Sequence, residues 1–355
     1  QNQLMREILG YAPIEPDGSV MIKVPANVAF AVSVLDANGR RITPRHQDWL
    51  QVLPGETFEC NGCHNPGSGM SHGRTDAFAT INDGAAATGV AWPNTDPAMS
   101  PDFGETMAET RARISCSTGT CDALDPNMDI DYVDVWTNPI TLTPELPFSY
   151  SYGDLATIPP TYLRGNPSTA CMNTPAVSNW SSDCRIIINY EQHIHPLWSV
   201  PRQVIDPVTL LVISDFTCTV CHSPADGAGV VQVPAGQLDL ADGLSDIDND
   251  HFKSYRELLS GDNALVVQGN ALVDDSVVIG TDPVTGLPIT APIPVSPSMS
   301  PAGANNSGRF FDRFDPASGN AHATYLMTPA ELKLLSEWLD IGAQYYNNPF
   351  DAPLN

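Results

Sequence analysis

The chain is poor in basic residues and has no long apolar run. It carries 16 Lys and Arg against 41 Asp and Glu, which gives a formal net charge of −25. DNA, RNA and anionic membrane surfaces repel so acidic a chain, so we expect no nucleic-acid partner. No stretch of about 18 consecutive apolar residues occurs, so we expect no membrane span. We interpret the acidity as a solubility feature, with attraction to basic partners as the alternative.

Cysteine is also scarce, yet four of the eight cysteines fall in two copies of one pattern. Residues 60–64 read Cys-Asn-Gly-Cys-His and residues 218–222 read Cys-Thr-Val-Cys-His. C-x-x-C-H is the attachment signature of a c-type haem, in which the histidine becomes the proximal iron ligand. The histidine, present both times, disfavours a thioredoxin-like redox pair or half of a zinc site. We therefore predict two covalently bound haem c groups, held by Cys60, Cys63 and His64 and by Cys218, Cys221 and His222.

The remaining cysteines are Cys116, Cys121, Cys171 and Cys184. Their short separations favour the pairs 116/121 and 171/184, although four cysteines permit three connectivities. A zinc site is the competing interpretation, but these spacings lack the tight C-x-x-C pairs usual in such sites. Disulfides and covalent haem both point to a periplasmic or extracellular protein.

The fold predicted from the pattern is loop-rich α+β, because the chain has 32 Pro and 26 Gly. Alternating apolar and polar residues over 19–25, with a partner strand over 30–35, predict a small antiparallel sheet, so we assign residues 1–58 to a small β-sheet domain. Residues 59–185 are assigned to a first haem region with disulfide-stapled loops. Residues 186–355 are assigned to a class-I-cytochrome-like helical haem domain that ends in an amphipathic helix.

Three helices are predicted, over 105–114, over 252–259 and after residue 328. The last is the clearest, because Thr328 caps it, Pro329 occupies its first position and Glu331 completes a capping box. Its apolar residues recur at helical spacing and predict one face packed in the core. That face consists of Leu332, Leu335, Trp338 and Leu339.

The sixth iron ligand decides what each haem does, since a bis-His iron is saturated whereas a five-coordinate iron binds substrates. His322 is our candidate for the second haem, because it lies just before the capped helix. One of His193 and His195 is expected to bind iron, with the first haem favoured, and His72 is a further candidate. The other options are Met ligation by Met70, Met99 or Met299, and His46 and His251, which we interpret as surface residues.

Two acidic stretches, 125–134 and 246–250, carry carboxylates of the kind that bind calcium. Neither has the spacing of an EF-hand. We interpret both as solvated acidic loops, with calcium as the alternative.

Both ends of the chain resemble hydrazine synthase alpha-subunit-like proteins. The resemblance rests on Gly-Tyr-Ala-Pro at 10–13, Leu-Asp-Ala-Asn-Gly at 35–39 and Pro-Gly-Glu at 54–56, and on residues 322–331 and 338–347 near the other end. It implies that the chain corresponds to the C-terminal, haem-bearing portion, without the β-propeller that often precedes the first motif. It also implies a bis-His second haem with His322 as distal ligand.

The catalytic chemistry of that family does not carry over with the resemblance. The catalytic haem of the synthase uses a tyrosine shortly after its motif, with the motif histidine freed for zinc. Here Asn-Pro-Gly-Ser follows His64, and the next tyrosine is Tyr132. This departure favours ordinary iron ligation by His64.

Three functions fit the sequence. The first is an extracytoplasmic dihaem cytochrome that passes electrons between redox partner proteins through bis-His haems. The second is a dihaem oxidoreductase with one open iron that acts on a small nitrogen or oxygen species. The third is a subunit of a surface haem-bearing filament, in which copies of the chain form a homo-oligomer or polymer.

Overall fold

The computed structural model describes residues 5–42, 44–46, 49–60, 91–155, 162–163, 166–167, 171, 179–319, 322 and 327–347. Short helices alternate with two-stranded antiparallel sheets, and much of the chain is loop. The α-helices are α1 Met107–Ser117, α2 Cys218–Cys221, α3 Lys253–Leu259, α4 Gly308–Phe311 and α5 Pro329–Asp340. A π-helical turn, Tyr190–Ile194, runs into a 3-10 turn, His195–Ser199. Shorter 3-10 turns are Pro97–Met99, Asp122–Leu124, Tyr152–Asp154, Ala235–Gln237, Ala304–Asn306, Asp312–Phe314 and Pro316–Ser318.

Each sheet among the described residues is a single antiparallel pair, and five of the six pairs join strands that are consecutive in the chain. The strands are β1 Ile130–Tyr132, β2 Phe148–Tyr150, β3 Tyr162–Leu163, β4 Asn166–Pro167, β5 Gln203–Ile205, β6 Val212–Asp215, β7 Asp262–Asn263, β8 Leu265–Gln268, β9 Ala271–Asp274, β10 Ser276–Thr281, β11 Pro288–Pro292 and β12 Pro294–Val295. The pairs are β1–β2, β3–β4, β5–β6, β8–β9, β10–β11 and β7–β12.

The small sheet predicted for residues 1–58 is not formed by the part of that range that the structure describes. Extended chain there makes isolated bridges instead, such as the pair Phe30 and Leu50. The two predicted strands differ in their partners. The Lys23 amide donates to the distant Leu124 carbonyl over 2.8 Å, whereas the His46 amide donates to the Val32 carbonyl over 3.0 Å, within the same range. The two predicted strands do not have each other as partners.

One hydrophobic core crosses the boundary predicted between residues 185 and 186. Cys184 and Ile186 are both fully buried in it, together with Trp198, Leu335 and Trp338. The first described residues join the same body, because the side-chain amide of Gln344 donates to the carbonyls of Arg6 and Ile188. The N-terminal segment is therefore packed on the C-terminal helix.

Helix α5 begins where its capping box predicted. The Thr328 hydroxyl accepts from the Glu331 amide over 3.2 Å, and the Glu331 carboxylate accepts from the Thr328 amide over 2.8 Å. The predicted apolar face is confirmed, since Leu335, Trp338 and Leu339 are fully buried. The helix is nevertheless central rather than amphipathic, because its charged residues are buried as well.

Buried charges on α5 pair within the helix and accept hydrogen bonds from side chains of distant segments. The Lys333 ammonium lies 3.0 Å from the Glu337 carboxylate and 3.4 Å from the centre of the Tyr152 ring. Tyr152 donates its hydroxyl to Glu337 over 2.6 Å, and Tyr11 donates to the same carboxylate. Burial raises the pKa of both tyrosines well above the ordinary value, so they act as donors. This cluster fastens residues 11 and 152 to the helix.

Candidate functional site

The second C-x-x-C-H motif begins as one turn of helix at the base of the β5–β6 hairpin. Below the hairpin ladder, the Phe216 amide donates to the Arg202 carbonyl over 2.9 Å, and the Arg202 amide donates to the Thr217 hydroxyl over 3.1 Å. Helix α2 follows, with Cys218 and Cys221 three positions apart and therefore on one face. Neither cysteine is in a disulfide. The hairpin thus fixes where the two thiols are presented.

His222 ends this turn with its ring held by the backbone. Its amide donates to the Cys218 carbonyl over 2.8 Å, and its Nδ1 lies 3.2 Å from the Leu238 carbonyl oxygen. A carbonyl partner on one ring nitrogen fixes the tautomer and leaves the other nitrogen for a metal. Burial lowers the pKa of His222, which favours the neutral, metal-binding form.

The His322 ring lies beside the His222 ring. The two ring centres are 6.1 Å apart and the planes are inclined by 53°. Two imidazoles on opposite sides of one metal ion, with bonds of about 2 Å, also place their ring centres about 6 Å apart. Phe314 lies edge-on to His322 at 5.7 Å, and burial lowers the pKa of the His322 imidazole. The sequence-predicted pair, His222 and His322, is therefore brought together at a separation that fits a shared iron.

A buried ion pair joins the motif to helix α5. Arg202 donates through both terminal nitrogens to Glu331, over 2.9 and 3.1 Å. Their side chains are 7% and 1% exposed. Burial raises the pKa of the Cys218 thiol, and the nearby charge of Arg202 opposes this with a smaller lowering. Because Glu331 is part of the α5 capping box, this pair fixes the thiols relative to the start of the helix.

His193 and His195 lie on the buried turns 190–199, among core residues. The Nδ1 of His193 accepts from the Asn189 amide over 3.0 Å, and burial lowers the pKa of His193 to about 4. His195 has both ring nitrogens engaged, with Asp242 at 2.8 Å and the Ser254 hydroxyl at 3.1 Å. Iron ligation by His195 would displace one of these two hydrogen bonds. Ligation of a haem by either residue stays a prediction.

The remaining histidines in the described part of the chain have other surroundings. His251 lies 3.0 Å from Asp248 and packs on Tyr345, with ring centres 4.2 Å apart. His46 lines an open cavity with Arg41 and Arg45. Among the described residues no group of three or more His, Cys, Asp or Glu side chains is arranged to hold a metal ion. Calcium binding by the acidic stretches 125–134 and 246–250 stays a prediction.

The first motif is described only as far as Cys60, which is exposed and unpaired in any disulfide. Cys63, His64, Met70 and His72 lie outside the described residues. The chain turns at Pro54-Gly55, just before the motif. The Glu56 amide donates to the Leu53 carbonyl over 3.1 Å, and the Leu53 amide donates to the Glu56 carboxylate over 2.7 Å.

Both predicted disulfides are confirmed. Cys116 and Cys121 are bonded with Cα atoms 4.0 Å apart, and Cys171 and Cys184 with Cα atoms 5.9 Å apart. The second bond lies in the core, whereas the first closes the end of α1. Structural disulfides are typical of oxidising compartments outside the cytoplasm. No helix in the described part of the chain is both long and apolar enough to cross a membrane.

Two contributors to the site were not predicted. The Leu238 carbonyl that orients His222 has no sequence signal, because any residue carries that group. Arg202 had a weak signal, since it is one of only 16 basic residues and lies close before the motif. Its partner Glu331 was predicted only as a helix cap.

A comparison with known families gives one match. The family described as the hydrazine synthase alpha subunit middle domain matches residues 1–65, which include the whole first C-x-x-C-H motif. No curated protein and no solved structure matches the chain. The matched range agrees with the N-terminal part of the resemblance described above.

Proposed function

We propose that the chain is a periplasmic or extracellular dihaem c-type cytochrome that transfers electrons through bis-His haems. The observation that carries this is the pair His222 and His322, at 6.1 Å between ring centres beside the free thiols of α2. Covalent haem c supplies one-electron redox chemistry when bound. The match of residues 1–65 to a hydrazine synthase domain adds a haem-associated redox family to the argument.

The chain's own groups have separate tasks at the second site. Cys218 and Cys221 supply the thioether sulfurs, His222 the proximal nitrogen and His322 the distal nitrogen. Electron transfer needs little beyond fixed ligands and a controlled surrounding. The Leu238 carbonyl, Arg202 and Glu331 supply both, since they orient His222 and anchor the motif to α5.

At the first site the support comes from the motif and the family match. His64 is the proposed proximal ligand, and His72 and His193 are the proposed candidates for the distal position. An iron with histidine on both sides has no open position, so a bis-His state at both irons favours electron transfer over the open-iron oxidoreductase. No contact among the described residues specifically supports an open iron. The class-I-cytochrome-like architecture stays a prediction.

Carbon monoxide binding to the reduced protein tests ligation, because only an iron with an open position binds it. The wild type is expected to show no spectral shift. His322→Ala is expected to open one of the two irons, so that the reduced variant binds one equivalent of carbon monoxide with a spectral shift. His251→Ala serves as the matched control and is expected to leave the spectrum unchanged. A wild type that binds carbon monoxide, or a His322→Ala spectrum identical to the wild type, would overturn the assignment.

A further inference from the structure

Two hairpins of the chain share one construction. The sequence Asp-Pro-Val-Thr occurs at 206–209, between β5 and β6, and again at 282–285, between β10 and β11. The Asp206 carboxylate accepts from the amides of Val208 and Thr209, both over 2.8 Å. The Asp282 carboxylate accepts in the same way from Val284 and Thr285, over 2.8 and 3.1 Å.

The backbone closes both turns with the same hydrogen bonds. The Asp206 amide donates to the Leu211 carbonyl and its own carbonyl accepts from Leu210, each over 2.9 Å. Asp282 makes the equivalent two bonds with Leu287 and Gly286, again over 2.9 Å. The residue at the shared fifth position is left-handed in both turns, with φ of 56° at Leu210 and 71° at Gly286. The two hairpins are thus one structural device used twice.

Both hairpins expose aliphatic side chains on consecutive positions. Val208 is 88% exposed and Val284 is 91% exposed, at the two tips. The strands continue the pattern, because Ile213 on β6 and Ile279 on β10 are exposed as well. Successive residues of a strand point to opposite faces, so neither face of these hairpins is covered by the described part of the chain. We call the two hairpins, 203–215 and 276–292, the docking arms.

Charge sets the arms apart from the rest of the molecule. The net charge of the chain is −25, but the only charged residues in the arms are Asp206 and Asp215 in the first and Asp282 in the second. Both turn aspartates are already committed to backbone amides. Two copies of the chain repel each other over most of their surface. The arms are where they approach without bringing acidic groups together.

The arms also offer unpaired backbone. Each is a two-stranded sheet, so among the described residues every strand keeps one free edge. Pro288 and Pro292 remove hydrogen-bond donors from β11, whereas β10 and β6 contain no proline. Each of these two strands carries one bulge, at Ile213 and at Ile279, and the rest of its exposed, apolar, proline-free edge can pair with another strand. Each copy of the chain carries two such edges.

We infer that the docking arms bind a second copy of this chain, by pairing of the edges of β6 and β10 and packing of their exposed aliphatic side chains. When β6 of one copy pairs with β10 of the next and the other two edges stay free, the contact is heterologous and extends into a ring or an open polymer. This supports the haem-bearing filament among the functions considered. The inference needs no haem, so its failure and the failure of the cytochrome assignment are separate results.

Sedimentation velocity on the full chain, purified from its host cell, tests self-association through the arms at protein concentrations of about 1 to 100 μM. The wild type is expected to self-associate with rising concentration. Ile213→Lys on β6 and Ile279→Lys on β10 are each expected to weaken association at least tenfold, because a lysine at a strand edge blocks pairing. Val284→Lys at a tip provides a second variant that touches no ladder.

The matched control is Ile140→Lys, since Ile140 is 91% exposed but lies outside the arms. It is expected to leave association within twofold of the wild type. All the substituted side chains are more than half exposed, so near-ultraviolet circular dichroism is expected to show the native fold throughout. A wild type that stays monomeric over the whole range, or arm variants that associate as tightly as the control, would overturn the inference.

Discussion

The buried pair between Arg202 and Glu331 gives the sharpest test of how the site is held. Glu331→Gln removes the negative charge but keeps a side chain that can complete the capping box. Arg202 then stays buried, at 7% exposure, without its counter-charge. Breaking a buried pair from one side costs about 3 to 5 kcal/mol, a large share of the roughly 5 to 15 kcal/mol that stabilises a typical domain.

A surface pair of similar length supplies the control. Lys23 and Asp125 are 2.7 Å apart, but the Lys23 side chain is 42% exposed. Asp125→Asn is therefore expected to cost no more than about 1 kcal/mol. The contrast isolates burial, since both substitutions replace a carboxylate by an amide.

Urea unfolding followed by circular dichroism measures both losses as shifts of the midpoint at constant slope. The double variant Arg202→Met/Glu331→Gln is expected to be more stable than Glu331→Gln alone, because it leaves no unpaired buried charge. The reasoning is refuted when Glu331→Gln loses no more than Asp125→Asn. It is equally refuted when the stability lost by the double variant equals the sum of the losses of Arg202→Met and Glu331→Gln measured singly, because the two residues would then be uncoupled.

Two further predictions concern stability. Burial raises the pKa of Glu257 from 4.5 to about 7, so the folded chain holds a proton that the unfolded chain releases, and stability falls as the pH rises through that interval. Urea titrations are expected to show a shallower fall for Glu257→Gln, and equal slopes would contradict the assignment. Replacing Cys171 and Cys184 by Ala is expected to cost about 3 kcal/mol, because they are 13 residues apart. Replacing Cys116 and Cys121, 5 residues apart, should cost less in the same assay, and the opposite order would refute the loop argument.

Local signals predicted the parts of the fold that local chemistry decides. The capping box at Thr328 and Glu331 sets the start of α5, and helix α3 at Lys253–Leu259 follows its predicted range closely. Helix α1 was predicted two residues early, since the capping box of Thr106 and Glu109 fixes its start at Met107. Short cysteine separations likewise predicted both disulfides.

Local sequence patterns could not predict the features that depend on distant partners. The strands expected over 19–25 and 30–35 do not pair with each other, because Lys23 bonds to Leu124 and segment 30–35 bonds to segment 42–50. The first docking arm was not predicted as a hairpin, because its turn uses a left-handed Leu210, a conformation that sequence signals reserve for glycine or asparagine. At the site, the proximity of His222 and His322 followed from the resemblance, whereas Arg202 became recognisable only once Glu331 lay against it.

The intact mass of the purified chain tests the central claim most directly. Two covalent haems predict the polypeptide mass plus two haem groups, and Cys218→Ser/Cys221→Ser is expected to lose one of them. The native absorption spectrum of the same sample is expected to be that of low-spin, six-coordinate haem. A wild-type mass equal to that of the bare polypeptide, or a double variant with the wild-type haem content, would contradict the account.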